Sequence, residues 1–156
     1  MSLASFNAAS TADAEAALLS CCGSPAFASA VAAGRPYASA AALEAAVTSA
    51  VASLTWGHVL EAMAGHPRIG DRVSGASATE QSGVTGASRA DLVAGNLAYE
   101  ERFGHVFLIC ASGLSGEQML AALRERLAHD PGTERAVAAG ELLKITVLRA
   151  RKLASS

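Results

Sequence analysis

The sequence predicts an all-α fold of about seven to nine helices. Three observations carry that expectation. Of the 156 residues, 51% are hydrophobic but only 4% are aromatic, so the core must be built from small and branched side chains that let helices approach closely. Apolar residues recur at three- and four-residue spacing between cap and breaker residues. The continuous apolar run from Val106 to Cys110 is too short for a helix, and as a buried extended segment it finds no second strand with which to form a sheet.

Taken in order, Ser10 or Thr11 caps a first helix that reaches Leu19 or Cys22 and stops at Gly23. Ser24-Pro25 restarts the chain as a helix, with the hydroxyl as cap and proline at the first helical position, where its missing N–H costs nothing. Gly34-Arg35-Pro36 ends it, because a residue before proline is pushed out of helical angles. Ser39 caps a long segment with Leu43, Val47, Val51 and Leu54 on one stripe, and Trp56, Val59, Leu60 and Met63 repeat the pattern up to Gly65. Gly65 to Ala76 has loop composition. Ser77-x-x-Glu80 and Ser88-x-x-Asp91 both read as capping boxes, the second opening a helix through Leu92, Asn96, Tyr99 and Phe103 to Gly104. Ser115-x-x-Gln118 caps a helix bearing Met119, Leu120, Leu123 and Leu127. Asp130-Pro131-Gly132 reads as a turn, and Thr133 opens a last helix from Glu134 to about Leu153. Without repeats or a low-complexity linker, residues 1–156 are expected to form a single domain.

Composition narrows the function classes. A formal net charge of −2 with scattered basic residues gives no reason to expect nucleic acid or an anionic membrane as partner. No apolar run reaches the ~18 residues that cross a bilayer. No Lys or Arg precedes Arg35, unlike the start of a secretory signal, and the ending Lys-Leu-Ala-Ser-Ser is not a peroxisomal address. Of three cysteines, Cys21 and Cys22 are adjacent, a poor disulfide framework, so a reducing cytoplasm is expected. His-Glu-x-x-His, Cys-x-x-Cys, P-loop, Gly-x-Gly-x-x-Gly and Gly-x-Ser-x-Gly patterns do not occur, so neither a metal nor a cofactor is expected.

The chemistry-bearing stretch is Gly65 to Gln81. Its imidazole, arginine, hydroxyl, carboxylate and amide are of no use to a segment that only covers a core. His66 lies between a glycine and a proline, which aims its ring from stiff backbone, and imidazole is the commonest general acid or base near neutrality; a lone loop histidine can equally be a solvated one. Ser77 and Glu80 are explained by capping, yet Glu80 at a helix N-terminus can also face a ligand. Arg149 shares the stripe of Leu142 and Ile145, so it either snorkels to the core edge or holds its fork in a dry pocket to grip an oxygen. His58 and His129 read as structural or solvated, and Arg151 and Lys152 as solvated. The residues alone therefore reach a helical acid/base pocket and name no substrate.

Six blocks in register add more. They are Cys21-Cys22-Gly23-Ser24, Arg35-Pro36-Tyr37, His66-Pro67-Arg68-Ile69-Gly70, Ser77-x-x-Glu80-Gln81, Asn96-x-x-Tyr99-x-x-Arg102-Phe103-Gly104-x-x-Phe107-x-Ile109 and Glu141-x-x-Lys144-Ile145-x-x-x-Arg149. Together they resemble the OHCU decarboxylase family, which acts on 2-oxo-4-hydroxy-4-carboxy-5-ureidoimidazoline (OHCU) in uric acid degradation. Phe27 stands where that family commonly has tryptophan. The resemblance implies an all-α fold, cofactor-free decarboxylation to (S)-allantoin, and a homodimer in many members. It makes His66 the acid/base, Glu80 the group that orients the substrate and Arg149 the stabiliser of an oxygen. Pro67, Ser77 and Gln81 follow as pocket residues, with Phe107, Leu108, Ile109, Cys110 and Ala111 as a wall whose apolar character excludes water and whose amides meet oxygen. Two other classes remain open at this point: a metal-dependent hydrolase of the same pathway with His66 and Glu80 as ligands, and a non-catalytic helical interaction module.

Overall fold

The structure, a computed structural model, describes residues 1–70 and 75–155. Every regular element among them is a helix: α1 (Leu3–Ala8), α2 (Thr11–Cys21), α3 (Pro25–Ala33), α4 (Ala40–Ala52), α5 (Trp56–Met63), α6 (Gly75–Glu80), α7 (Gly86–Phe103), α8 (Gly116–Leu127) and α9 (Pro131–Ser155). The all-α expectation holds, with one isolated bridge joining Ser2 and Ser155. None of the described helices is long and apolar enough to cross a membrane. The chain forms two compact units, one of Met1–Ala62 with Leu142–Ser156 and the other of Met63–Glu141.

In the first unit the predicted caps are in place. The hydroxyls of Ser10, Ser24 and Ser39 accept the N–H of Asp13, Phe27 and Ala42 at 3.1, 3.2 and 3.1 Å, which satisfies helix-end donors that lack an intrahelical acceptor. Leu43, Val47 and Val51 are buried as one stripe. Leu60 is an exception to its predicted stripe at 37% exposure, while Val59 and Met63 are buried. The sequence does not announce α1, whose six residues are too few to show a period. Tertiary contacts hold it. Arg35 donates through Nη1 to the carbonyls of Phe6 and Ala9 at 2.8 and 2.7 Å, and Asn7 exchanges two 2.9 Å bonds with the backbone of Tyr37. The Arg35-Pro36-Tyr37 block is thus explained by folding.

In the second unit α7 and α8 pack at small residues. A Cβ on Gly95 would overlap the Leu123 side chain, and one on Gly116 would overlap Ser88, so an alanine-rich, glycine-punctuated sequence permits this approach. Ile69, Leu92, Tyr99, Phe107, Ile109, Ala111, Met119 and Leu123 form the core. Two predicted starts are displaced. Helix α7 begins at Gly86, two residues before Ser88, with Thr85 as N-cap, and the Ser88 hydroxyl accepts the Thr85 N–H at 3.4 Å from inside the first turn. Helix α9 begins at Pro131, because Asp130 is the cap: its carboxylate accepts the N–H and hydroxyl of Thr133 at 2.9 and 2.6 Å. Gly104 ends α7 at φ 77, in the left-handed region that glycine tolerates. After it, 106–110 belongs to no helix or strand, with Phe107, Leu108 and Ile109 buried.

Candidate active site

The His66 arm leaves α5 through a bond from the His66 N–H to the Met63 carbonyl at 3.0 Å. His66 and Pro67 are half-buried. From Arg68 onward every residue of the arm is tied down. Arg68 reaches both carboxylate oxygens of Glu100, at 2.5 and 3.1 Å. The Ile69 carbonyl accepts from Asn96 Nδ2 at 2.6 Å, and the Gly70 carbonyl accepts from Arg89 Nη1. Gly70 adopts φ 94, which a side chain would resist. Its N–H is held by Gln81 Oε1 at 3.1 Å. A stiff dipeptide therefore carries the imidazole, and the three residues after it are pinned to α7 and to Gln81.

The second arm is α6, and here the capping expectation is corrected. Ser77 is the third residue of the helix and Glu80 its last, so neither forms a capping box and Glu80 does not sit at a helix N-terminus. Gly75 and Ala76, expected in the loop, are helical, and the rest of that loop at 71–74 lies outside the described residues. The bond from Gln81 N–H to the Ser77 carbonyl at 2.9 Å continues the helical pattern, and Val84 N–H then turns back to the Gln81 carbonyl at 2.9 Å. Glu80 is 9% exposed and Gln81 8%, while Ser77 is half-buried. With no N-terminal dipole to explain it, the burial of Glu80 is set by tertiary packing.

The 107–111 segment has Phe107, Leu108, Ile109 and Ala111 buried and Cys110 half-buried. Two of its backbone groups are already engaged: the Leu108 carbonyl accepts from Arg126 Nη1 at 2.7 Å, and the Cys110 N–H donates to Glu141 Oε1 at 3.2 Å. Arg126 belongs to a buried network that local spacing does not reveal. Glu134 accepts from Arg126 Nε at 2.7 Å, from the Tyr99 hydroxyl at 2.5 Å, and pairs with His129 Nδ1 at 3.1 Å. Burial alone raises the Glu134 carboxyl, but Arg126, Tyr99 and His129 together pull it below the ordinary glutamate range. Burial, and then Glu134 itself, push the Tyr99 phenol upward. His129, read from the sequence as structural or solvated, is structural, a member of this network. Arg126 and Glu134 lie on separate helices either side of a turn, so periodicity could identify their faces but not their pairing.

Arg149 belongs to the first unit, on the part of α9 that bears Thr146 and Ala150. It is half-buried. Burial raises the thiols of Cys21 and Cys22, and the Arg149 charge acts in the opposite sense on both. Arg151 is exposed as expected and pairs with Glu44 at 2.9 and 2.6 Å. The other sequence-predicted candidates, His66, Pro67, Ser77, Glu80, Gln81 and 107–111, belong to the second unit. Gly70 and Gln81 join its first two arms. Among the described residues, no group of three or more His, Cys, Asp or Glu side chains is placed to hold a metal ion. A cavity of about 600 Å³ lies at the starts of α7 and α8, lined by Thr85, Ser88, Asp91, Glu117 and Arg124 among others, and none of the candidates borders it.

Comparison with known proteins places these features. The sequence pattern of OHCU decarboxylases matches residues 7–151. Over 147 residues the chain is 37% identical to the uric acid degradation bifunctional protein TTL of Arabidopsis thaliana, covering 86% of this chain but only 45% of that protein. Over 136 residues it is 37% identical to the 2-oxo-4-hydroxy-4-carboxy-5-ureidoimidazoline decarboxylase of Amia calva, covering 80% of this chain and 78% of that one. A crystal structure of OHCU decarboxylase in the presence of (S)-allantoin superposes with a TM-score of 0.80 at 33% identity, covering 88% of this chain and 96% of that one. An (S)-allantoin synthase shares the fold at a TM-score of 0.72 and 22% identity, over 96% of this chain and 53% of that one. By sequence along nearly its whole length, this chain belongs to the OHCU decarboxylase family.

Proposed function

We propose that residues 1–156 act as one OHCU decarboxylase domain, a carboxy-lyase that converts 2-oxo-4-hydroxy-4-carboxy-5-ureidoimidazoline to (S)-allantoin without a cofactor in uric acid degradation. The observation that carries this reading is the likeness to the OHCU decarboxylase crystallised in the presence of (S)-allantoin, which extends over 96% of that chain. It favours the decarboxylase over the hydrolase and interaction-module readings. The cysteine pattern supports a cytoplasmic setting, and the family resemblance supports a homodimer, to be checked by light scattering.

In the proposed mechanism the carbon–carboxylate bond breaks and CO₂ leaves. Its electron pair forms a double bond to the neighbouring ring carbon, as the ring C=N accepts electrons at nitrogen and is protonated there. His66 takes the proton of the substrate hydroxyl as that oxygen becomes the ring carbonyl, while the neighbouring carbon gains a proton on one face and becomes the allantoin stereocentre. Glu80 accepts hydrogen bonds from ureido or ring N–H groups and holds the face presented. Arg149 stabilises ring or ureido oxygen. Gripping the departing carboxylate would stabilise the ground state and slow its loss. The apolar side chains of 107–111 keep water from the carboxylate. Pro67, Ser77 and Gln81 complete the pocket.

The test adds the protein to freshly generated uricase product and follows the ultraviolet decay and the chirality of the allantoin. Faster decay with (S)-allantoin in excess is expected. Decay at the spontaneous rate with racemic product sinks the assignment.

A further inference from the structure

The 106–111 segment is neither helix nor strand, and among the described residues no strand lies beside it. Buried backbone N–H and C=O groups require partners. Two of the segment's backbone groups are served by side chains from two helices: Arg126 of α8 takes the Leu108 carbonyl at 2.7 Å, and Glu141 of α9 takes the Cys110 N–H at 3.2 Å. Arg126 is aimed in its turn. Its Nε bonds Glu134 at 2.7 Å, and its guanidinium lies 4.5 Å over the Phe107 ring, whose edge meets Tyr99 at 5.3 Å. Glu134 is 0% exposed and Arg126 5%. Desolvation largely offsets the attraction of such a buried pair, so stability alone is a weak reason for it, whereas a fixed geometry is a strong one.

We propose that Arg126 and Glu141 splint this segment by satisfying backbone groups that no helix or strand serves, and that Glu134 aims Arg126, so that the 107–111 wall keeps one backbone trace. The three are positioning residues. Their effect on rate rests on the decarboxylase reading, while the splint itself does not.

The test compares the wild-type chain with Glu141→Ala and Glu141→Gln, reading amide hydrogen exchange at Cys110 alongside kcat and KM. Glu141→Ala is expected to keep the wild-type circular dichroism and to speed Cys110 exchange about tenfold or more. It should lower kcat about tenfold with KM within about threefold. Glu141→Gln keeps an oxygen acceptor and should recover most of both. Unchanged exchange at Cys110 in Glu141→Ala overturns the splint. Faster exchange with unchanged kcat overturns its positioning role and leaves the decarboxylase reading standing. If the wild type itself does not speed OHCU decay, the functional reading fails and the exchange measurement still decides the splint. Should Glu141→Ala not fold, Arg126→Lys, which keeps the charge but replaces the fork with one ammonium, undergoes the same measurements across 107–111 with the same criteria.

Discussion

Gln81 accepts the backbone N–H of Gly70 through its side-chain oxygen at 3.1 Å, which ties the end of the His66 arm to the end of α6. The bond is buried and spans eleven residues of sequence. A side chain expected only to meet substrate also shapes the site.

Replacing Gln81 by leucine removes that acceptor and leaves a buried N–H unsatisfied, a loss of about 1–3 kcal/mol. A lower melting temperature should accompany a fall in kcat/KM of about tenfold or more, since misplacing a reacting group is costly. Gln81→Glu retains an oxygen and should lie between the two in stability. Thermal melts and steady-state kinetics check both.

His66→Asn should lower kcat by about 10²–10⁴-fold, the usual worth of a positioned acid/base. His66 is half-buried and lies outside the helices, so circular dichroism should be unchanged. A His66→Asn protein with near-wild-type turnover would take the imidazole out of the chemistry.

Acid should destabilise the second unit through Glu134. Its folded carboxyl is held below the ordinary range, so its stabilising contribution is complete above the unfolded value and is lost as pH falls through the folded one. Glu134→Gln leaves Arg126 buried without its counter-charge and should cost about 3–5 kcal/mol at neutral pH. That variant should also show a weaker fall in stability on acidification, measured by denaturant midpoints across the acid range.

Gly83→Ala should be destabilising by about 1–3 kcal/mol or more, as overpacking against backbone is. The new Cβ would overlap the Leu114 carbonyl oxygen, beside the 2.9 Å bond from Gly116 N–H to the Gly83 carbonyl. Gly86→Ala meets nothing within 4 Å and serves as the control. Melting temperatures of the two variants decide the matter.

Helix ends were legible where the cap is a local bond. Ser24 to Phe27, Ser39 to Ala42 and Ser115 to Gln118 each span three residues, so the pattern is complete in the sequence. The same pattern misled at Ser77 and Ser88, because a serine three residues before a polar residue can occupy the first turn as well as the cap. Ser88 shows this directly, bonding back to Thr85. Helix α1 was missed although the Ser2 hydroxyl caps it by accepting the Ser5 N–H at 3.1 Å. The reason is that its six residues show no period, and its further ties run to Arg35 and Tyr37, 26 to 30 residues away.

By itself the sequence determined the all-helical class, most helix boundaries, the buried apolar break in helix at 106–110 and the motif blocks of the family, since these follow from periodicity, local caps and residue order. Tertiary structure alone decided that Glu80 ends α6, that Gln81 holds Gly70, and that Arg126, Glu134, Tyr99 and His129 share one buried network. The physical reason is that periodicity tells which face of a helix is buried, whereas a hydrogen-bond partner is chosen by proximity in space. Glu134 shows the difference: its bonds to His129, Arg126 and Tyr99 reach across 5, 8 and 35 residues, and no local pattern joins the four.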